Sequence, residues 1–141
     1  MIKVIAGGKK SRGWVAEAVG EYEKRLSRYW RMEWRFVGDE EMDAVVAGCG
    51  REDFVIVLDE RGENISSPEL AEILEREITG ARQVVLVIGG AYGVSEATRE
   101  RADFLWSLSR LVFPHEMVRV LLAEQVYRAE SIAVGRGYHH E

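Results

Sequence analysis

The sequence predicts an α/β fold, in which a mostly parallel sheet lies between two layers of helices to make three layers in all. Short runs rich in β-branched residues, such as Val84–Ile88, alternate along the chain with segments whose apolar residues recur at helical spacing. This alternation is typical of βαβ units, whose strands run parallel. With 141 residues the chain is predicted to be a single domain, 1–141, with a hydrophobic core of its own.

The first third of the chain is predicted to be strand, helix, strand. Residues Met1–Ala6 alternate weakly, as in a strand that Gly7-Gly8 would end, and Ser11 is a plausible helix cap. A helix is expected to follow, with an apolar face made by Trp14, Val15, Ala18, Val19, Tyr22, Leu26 and Tyr29. The next segment, Met32–Val37, alternates between apolar and polar residues, which predicts a half-buried strand.

The middle of the chain is predicted to hold a buried strand between two helices. Residues 38–50 are short and acidic and have room for one or two helical turns. Phe54–Leu58 is a β-branched run, which predicts a buried strand, and a loop is expected at 59–62. Ser67, followed by Pro68, predicts the start of the second helix, which Gly80 would end.

The C-terminal part is predicted to contain two strand–helix pairs. The strand Val84–Ile88 leads into a glycine-rich turn, after which Ser95 is expected to cap a short helix over 96–103. A second apolar stretch, 105–113, ends at Pro114. The last helix is predicted to begin near His115, and its apolar stripe is Val118, Leu121, Leu122, Val126 and Ala129.

Composition excludes several classes of protein. Cys49 is the only cysteine, so neither an internal disulfide nor a cysteine metal cluster is expected. No apolar run approaches the roughly 20 residues of a membrane span, and the N-terminus does not read as a signal peptide, so a cytoplasmic location is expected. The net charge of −5 disfavours a general nucleic-acid binder. Residues 1–35, however, hold nine Lys/Arg against four Glu, a balance of +5, which predicts either a local phosphate-binding surface or a solvated helix face.

The glycine-rich turn is the first candidate site. Ligands of open α/β sheets bind beyond the carboxyl ends of the strands, where Leu58, Gly89 and the region 108–113 are expected to lie. The spacing within 89–93 matches neither a dinucleotide fingerprint nor a P-loop, so the turn alone fits a cofactor site and a simple tight turn equally.

Histidines and charged residues of the C-terminal part are the second candidate set. The spacing of His115, His139 and His140 is not that of metal ligands, so no metal is expected. Taken by itself, His115 is interpreted as an N-terminal residue of a helix. No Gly-x-Ser-x-Gly elbow is present, which disfavours a hydrolase of the α/β class. Glu124, Arg119 and Arg128 read in isolation as an ordinary charged helix face.

Taken together in order, several short motifs closely resemble the RlmH family, methyltransferases of the SPOUT superfamily that modify large-subunit ribosomal RNA. These motifs are 4–9, 21–26, Ile88-Gly89-Gly90 with Gly93, 105–109, Phe113-Pro114-His115, 118–121, 124–129 and Tyr138-His139. The resemblance covers essentially the whole chain. It implies a C-terminal trefoil knot, a rare exception to unknotted folds, a homodimer, and S-adenosylmethionine bound in the knot.

The resemblance also implies a reaction and a set of site residues. The reaction is methyl transfer to N3 of a pseudouridine in 23S rRNA of the assembled ribosome. The implied cofactor positions are Leu58, Gly89, Leu108, Ser109, Arg110, Leu111, Val112 and Phe113. Because the imide N3–H must lose or share its proton, His139 is the leading candidate for the base, with Tyr138 positioning the target ring. Arg119, Arg128 and His115 are candidates for binding phosphate or carbonyl oxygens, and Glu124 for orienting an arginine or acting as the base.

The chain differs from the family pattern at two places, and two other functions are also considered. Many relatives have a longer, lysine-containing stretch where this chain has the acidic segment 38–50, and His140 stands where relatives carry a basic residue. The rivals are a ribosome-binding factor of the same fold without transfer activity, and a SPOUT methyltransferase that acts on transfer RNA.

Overall fold

The computed structural model describes residues 1–135. Within that range the chain alternates five strands with five α-helices and has one 3-10 turn at Arg28–Trp30. The elements in order are β1 Ile2–Gly7, α1 Gly13–Glu23, β2 Met32–Val37, α2 Asp39–Ala47, β3 Phe54–Glu63, α3 Ser67–Thr79, β4 Val84–Ile88, α4 Glu96–Arg101, β5 Phe104–Trp106 and α5 His115–Ala133.

The five strands form one sheet in the order β2-β1-β4-β3-β5, and every pairing between them is parallel. Ile2 of β1 lies beside Val84 of β4, and Phe54 of β3 lies beside the same residue from the other side. Parallel strands have their carboxyl ends at one edge, so the residues that follow β1, β3, β4 and β5 come together there. The predicted α/β class with a mostly parallel sheet is confirmed.

Two cores, one on each face of the sheet, make the three layers. On one face, alternate strand residues such as Val4 and Leu86 pack with α1, α3 and α5. On the other, Ile5 and Val87 pack with α2, and α4 lies beside α2. Because both faces are covered, all five residues of β4 are buried, which explains why this strand reads as a continuous apolar run.

The prediction of a loop directly after Leu58 is wrong, because β3 continues to Glu63. The extension is mostly polar and exposed, so no apolar pattern in the sequence indicates a strand there. It belongs to the strand because its backbone pairs with β5. Glu63 lies beside Trp106 after an irregularity in register, and its carbonyl accepts a hydrogen bond from the Ser107 N–H at 2.9 Å. At Gly62 a Cβ atom would lie 2.5 Å from the backbone of Leu105, so only glycine fits this crossing.

Several helix boundaries also differ from the sequence prediction. Helix α1 begins at Gly13 without a side-chain cap from Ser11, and it ends at Glu23, so Leu26 and Tyr29 of the predicted face lie beyond it. Helix α3 is capped by Ser66 rather than Ser67. Ser95 does cap α4, as predicted, although this helix ends at Arg101. Strand β5 has three residues, and the segment from Leu108 to the start of α5 is a loop.

Across the part of the chain that the structure describes, none of the helices has both the length and the apolar character needed to cross a membrane.

Candidate functional site

A cleft of about 810 Å³ opens beyond the carboxyl ends of β3, β4 and β5. Its size is in the range of small-molecule binding sites, and its position at the carboxyl edge of a parallel sheet is the usual one for such sites. Three segments line it: the end of β3 with residues 58–61, the turn 88–94 after β4, and the loop 106–115 that leads into α5.

Backbone rather than side chains forms the part of the cleft made by the glycine turn. A Cβ atom on Gly89 would lie 2.5 Å from the carbonyl carbon of Gly93, and Gly93 itself has a φ of 78°. The Gly93 N–H donates to the Gly90 carbonyl at 3.0 Å and closes the turn. A side chain at Gly7 of the neighbouring strand would in turn collide with the Gly90 nitrogen at 2.5 Å. Glycine is therefore required at these positions because the backbone segments approach too closely to leave room for a side chain.

Serine side chains fix the loop between β5 and α5. The Ser107 hydroxyl donates to the Ser109 carbonyl at 2.8 Å, and the Ser109 hydroxyl accepts from the Leu111 N–H at 3.0 Å. On this frame Leu111 and Val112 are 70% and 78% exposed, although both line the cleft. A loop that holds apolar side chains open to solvent beside a backbone-lined turn can accept a flat, partly apolar ligand.

Seven of the eight positions expected to bind a cofactor line this one cleft. They are Leu58, Gly89, Leu108, Ser109, Leu111, Val112 and Phe113. Arg110 is the exception: it is exposed and is not part of the lining. The structure thus brings together residues that are up to 55 positions apart in the sequence.

Asp59 is a lining residue that the sequence reasoning missed. Its carboxylate is almost buried, with the side chain 8% exposed, and its oxygens lie 3.7 Å from guanidinium nitrogens of Arg61 and Arg99. Arg99 also donates to the Val94 carbonyl at 2.8 Å, so it ties the glycine turn to the end of β3. The signal was available, since a carboxylate directly after a buried strand falls at the ligand-binding edge of a parallel sheet.

Among the predicted catalytic residues within 1–135, His115 is the one that lines the cleft. It is the first residue of α5, directly after Pro114, and its side chain is 30% exposed. Its Nε2 atom lies 3.8 Å from a carboxylate oxygen of Glu116. The same imidazole borders a second, shallower depression formed with the loop between β1 and α1, so it stands where two surfaces meet.

Arg119 does not stand where the sequence placed it. Its side chain is fully buried, and its Nη1 donates to the Lys9 carbonyl at 2.9 Å, the Ser11 hydroxyl at 2.7 Å and Glu116 at 3.0 Å. Its Nη2 donates to the Gly7 carbonyl at 2.8 Å. Burial lowers the pKa of this guanidinium, an effect that the Glu116 carboxylate opposes. In this arrangement Arg119 has no surface to offer to a phosphate, which corrects the expected direct contact.

Glu124 and Arg128 form an ion pair further along α5. The two side chains are 16% and 25% exposed, and their charged atoms are 2.8 Å apart. Neither residue lines the cleft described above. The tail residues Tyr138, His139 and His140 lie outside the described residues. Among residues 1–135, no three His, Cys, Asp or Glu side chains come together as a metal site would require.

Comparisons with known proteins agree over nearly the whole chain. The model of a family described as predicted SPOUT methyltransferase matches residues 1–139. Proteins named ribosomal RNA large subunit methyltransferase H from Desulfitobacterium hafniense (strain DSM 10664 / DCB-2) and Geotalea daltonii are 38% and 42% identical to it. The first alignment covers 98% of both chains and the second 99% of both.

Two solved structures have the same fold. A probable methylase family protein from Haemophilus influenzae Rd KW20 matches with a TM-score of 0.61 and 13% identity, over 99% of this chain and 70% of the other. The SpoU methyltransferase AviRb from Streptomyces viridochromogenes matches with a TM-score of 0.54 and 15% identity, over 96% and 61%. At these identities the likeness shows the fold alone.

Proposed function

The chain belongs to the RlmH family of SPOUT methyltransferases, and from this premise we propose that it transfers a methyl group from S-adenosylmethionine to N3 of a pseudouridine in the 23S rRNA of the assembled ribosome. The relatives' name supports large-subunit ribosomal RNA as the substrate. The observation that carries the proposal within the molecule is the cleft at the carboxyl edge of the sheet, which gathers seven of the eight cofactor positions that the family resemblance implies.

The residues present fit a nucleoside-type cofactor. The turn at Gly89 presents backbone to the cleft, and the loop 108–113 supplies apolar surface to the same cleft. When bound, S-adenosylmethionine supplies a methyl group that its sulfonium already activates. The chain's own task is therefore to orient the acceptor nitrogen and to take its proton.

The proton is the chemical difficulty of the proposed reaction. A neutral imide nitrogen attacks poorly because its lone pair is delocalised, so the site has to remove the N3 proton or stabilise the developing anion. We assign His139 as the base and Tyr138 as the residue that positions the target ring, both on the family resemblance. We assign His115, part-exposed at the cleft, to contact with a carbonyl oxygen of the target nucleobase. Glu124 would first have to leave its ion pair with Arg128, so it ranks behind His139 as base.

A homodimer, a trefoil knot and a cytoplasmic location complete the proposal. Large apolar side chains are exposed beside the cleft and on the helices of one face, among them Tyr92, Trp14 and Met117, which supports an interface with a second copy. The trefoil knot is proposed on the family resemblance alone. The cytoplasm is where assembled bacterial ribosomes would meet the enzyme.

The test is methylation with labelled S-adenosylmethionine of undermodified 70S ribosomes, separated subunits and free rRNA, followed by mapping of the label. We expect label at one 23S pseudouridine, in 70S ribosomes only. His139→Ala should lower the single-turnover rate at saturating cofactor by about 10²–10⁴, the usual contribution of one general base. His140→Ala is the matched control and should have a much smaller effect.

The rival functions predict different outcomes of the same experiment. A ribosome-binding factor without activity would bind ribosomes but would neither bind S-adenosylmethionine nor transfer label. A methyltransferase for transfer RNA would label that RNA and leave ribosomes unlabelled. Either result would overturn the proposal, and parental activity of His139→Ala would move the role of base to Glu124.

A further inference from the structure

The loop between β1 and α1 places a group of cations next to the cleft. Lys9, Lys10 and Arg12 are exposed, and together with His115 and Glu116 they line the shallow depression beside it. His115 borders both the depression and the cleft, so the two surfaces are continuous. The cations belong to the basic N-terminal part of the chain, and nothing in the cofactor site makes use of them.

The buried Arg119 side chain holds this loop in place through hydrogen bonds. The segment 8–12 has no regular secondary structure, and its backbone cannot satisfy itself. The buried guanidinium replaces those missing bonds, with donations to the carbonyls of Gly7 and Lys9 and to the hydroxyl of Ser11. These contacts reach across more than 100 residues of sequence. Nη1 and Nη2 of the buried guanidinium are hydrogen-bonded, which offsets part of the cost of burying its charge, whereas Nε has no partner among the described residues. The loop and the arginine therefore hold each other through the two terminal nitrogens.

The charge on this surface is positive and lies on one face of the molecule. Of the residues that the structure describes, Glu116 is the one carboxylate that lines the depression, and Arg119 donates to it at 3.0 Å. The strongly acidic start of α2, residues 39–41, belongs to the helix layer on the opposite face of the sheet from α1 and α5. Three exposed cations therefore stand together in a chain whose net charge is −5.

We propose that Lys9, Lys10 and Arg12 form a phosphate-contact surface for the RNA strand that brings the target nucleotide past His115 into the cleft, and that Arg119 is the positioning residue of this surface. Phosphate contacts of this kind fix the register of a nucleic acid without reading its sequence. The inference rests on the proposed function, because it takes RNA as the substrate of the neighbouring cleft. It assigns Arg119 a role in the reaction without direct contact with the substrate.

The first test removes the three cations and compares the result with a matched removal elsewhere. The control is Arg31→Ala with Arg51→Ala and Arg76→Ala, three exposed arginines at the amino edge of the sheet. Both triple variants take the net charge from −5 to −8. Binding to undermodified 70S ribosomes is measured across a salt series, with S-adenosylmethionine affinity measured separately by calorimetry.

We expect Lys9→Ala with Lys10→Ala and Arg12→Ala to reduce the slope of log K against log salt by about 2–3, since each lost phosphate contact removes about 0.7–0.9. The control triple should keep the parental slope, and both should keep the parental cofactor affinity. Equal slopes in the two triples would overturn the inference. A parent protein that binds no S-adenosylmethionine and labels no RNA would overturn the proposed function instead, so the two failures are distinguishable.

The second test addresses Arg119 through its partner, because a change at a fully buried arginine can unfold the protein. Ser11→Ala removes one acceptor from the loop and leaves the guanidinium in place. We expect the KM for ribosomes to rise about two- to tenfold, as for one lost hydrogen bond, with kcat and cofactor affinity unchanged. A merely structural role would lower the melting temperature and leave this KM at the parental value, and that result would overturn the positioning role. Arg119→Lys, where it folds, should raise the same KM further.

Discussion

At Gly89 the chain leaves no room for a side chain, and the reason lies in its own backbone. The atoms that a Cβ would strike belong to Gly93, four residues on, at 2.5–2.9 Å. A substitution would therefore open the turn itself before it met any ligand. Backbone cannot yield in the way that the end of a flexible side chain can, so the smallest possible side chain is already disruptive here.

We expect Gly89→Ala to weaken S-adenosylmethionine binding at least about tenfold, because a distorted turn removes the flat wall of the cleft, and Gly89→Val to weaken it more. Calorimetry of cofactor binding measures this. Gly20→Ala is the matched control: Gly20 is at an exposed position of α1 with open space around its Cβ, and the change should stabilise the protein by about 0.5–1 kcal/mol without affecting binding. Parental affinity in Gly89→Ala would remove the glycine turn from the cofactor site.

Arg119 shows where prediction from single residues stops. The family resemblance names this residue as a site candidate, but residue type and helical spacing do not tell whether an arginine faces solvent or a buried loop. That depends on packing between α5 and residues 7–11, more than 100 positions away. Asp59 differs, because its place directly after an apolar run is a usable sequence signal, and only its ion pair with Arg99 depends on tertiary packing.

Elements with strong local signals were the ones predicted well. The first four strands follow from apolar runs or alternation, and α5 begins at His115 as expected after Pro114. The predicted apolar stretch 105–113 overlaps β5 at only two residues, and most of it is loop. Boundaries were less predictable where tertiary contacts decide them. The extension of β3 to Glu63 exists only because residues beyond β5 pair with it. Similarly, Ser66 and Ser67 both suit a helix cap, and the choice is made by the geometry of the chain that enters α3.

The role of Ser66 as the cap of helix α3 can be tested by substitution. Ser66 accepts a hydrogen bond from the Glu69 N–H at 3.2 Å, and the Glu69 carboxylate accepts one from the Ser66 N–H at 3.0 Å, which makes a capping box. Ser66→Ala should lower the free energy of unfolding by about 1 kcal/mol in urea denaturation. Ser66→Asp preserves an acceptor and should lose much less. Equal losses in the two variants would mean that the cap contributes nothing.

The same capping box makes the stability of the protein depend on pH. Hydrogen bonds from the Ser66 backbone and side chain lower the pKa of Glu69. A carboxylate with a lowered folded-state pKa stabilises the native state above its unfolded pKa, and this stabilisation is lost as the pH falls through the folded value. The stability difference between the parent and Glu69→Gln should therefore shrink in acid, which denaturation at neutral and at acidic pH would measure.

For the molecule as a whole, the exposed apolar side chains beside the cleft support the proposed homodimer. Helices α1 and α5 pack side by side and both begin at the carboxyl edge of the sheet, near the cleft. Trp14 in the first turn of α1 is 59% exposed and Met117 in the first turn of α5 is 36% exposed. Apolar surface concentrated beside a binding site is typical of an interface.

We expect light scattering at micromolar concentration to give about twice the chain mass of 16.0 kDa. Trp14→Ser combined with Met117→Ser should shift the protein to the monomer, because it removes apolar area that would otherwise be buried between two copies. Tyr29→Ser is the matched control, since this 66% exposed aromatic lies just before β2 at the opposite edge of the sheet, and it should leave the dimer intact. A parent that scatters as a monomer would contradict the dimer itself, whereas a dimer that survives the double substitution would move the interface away from α1 and α5.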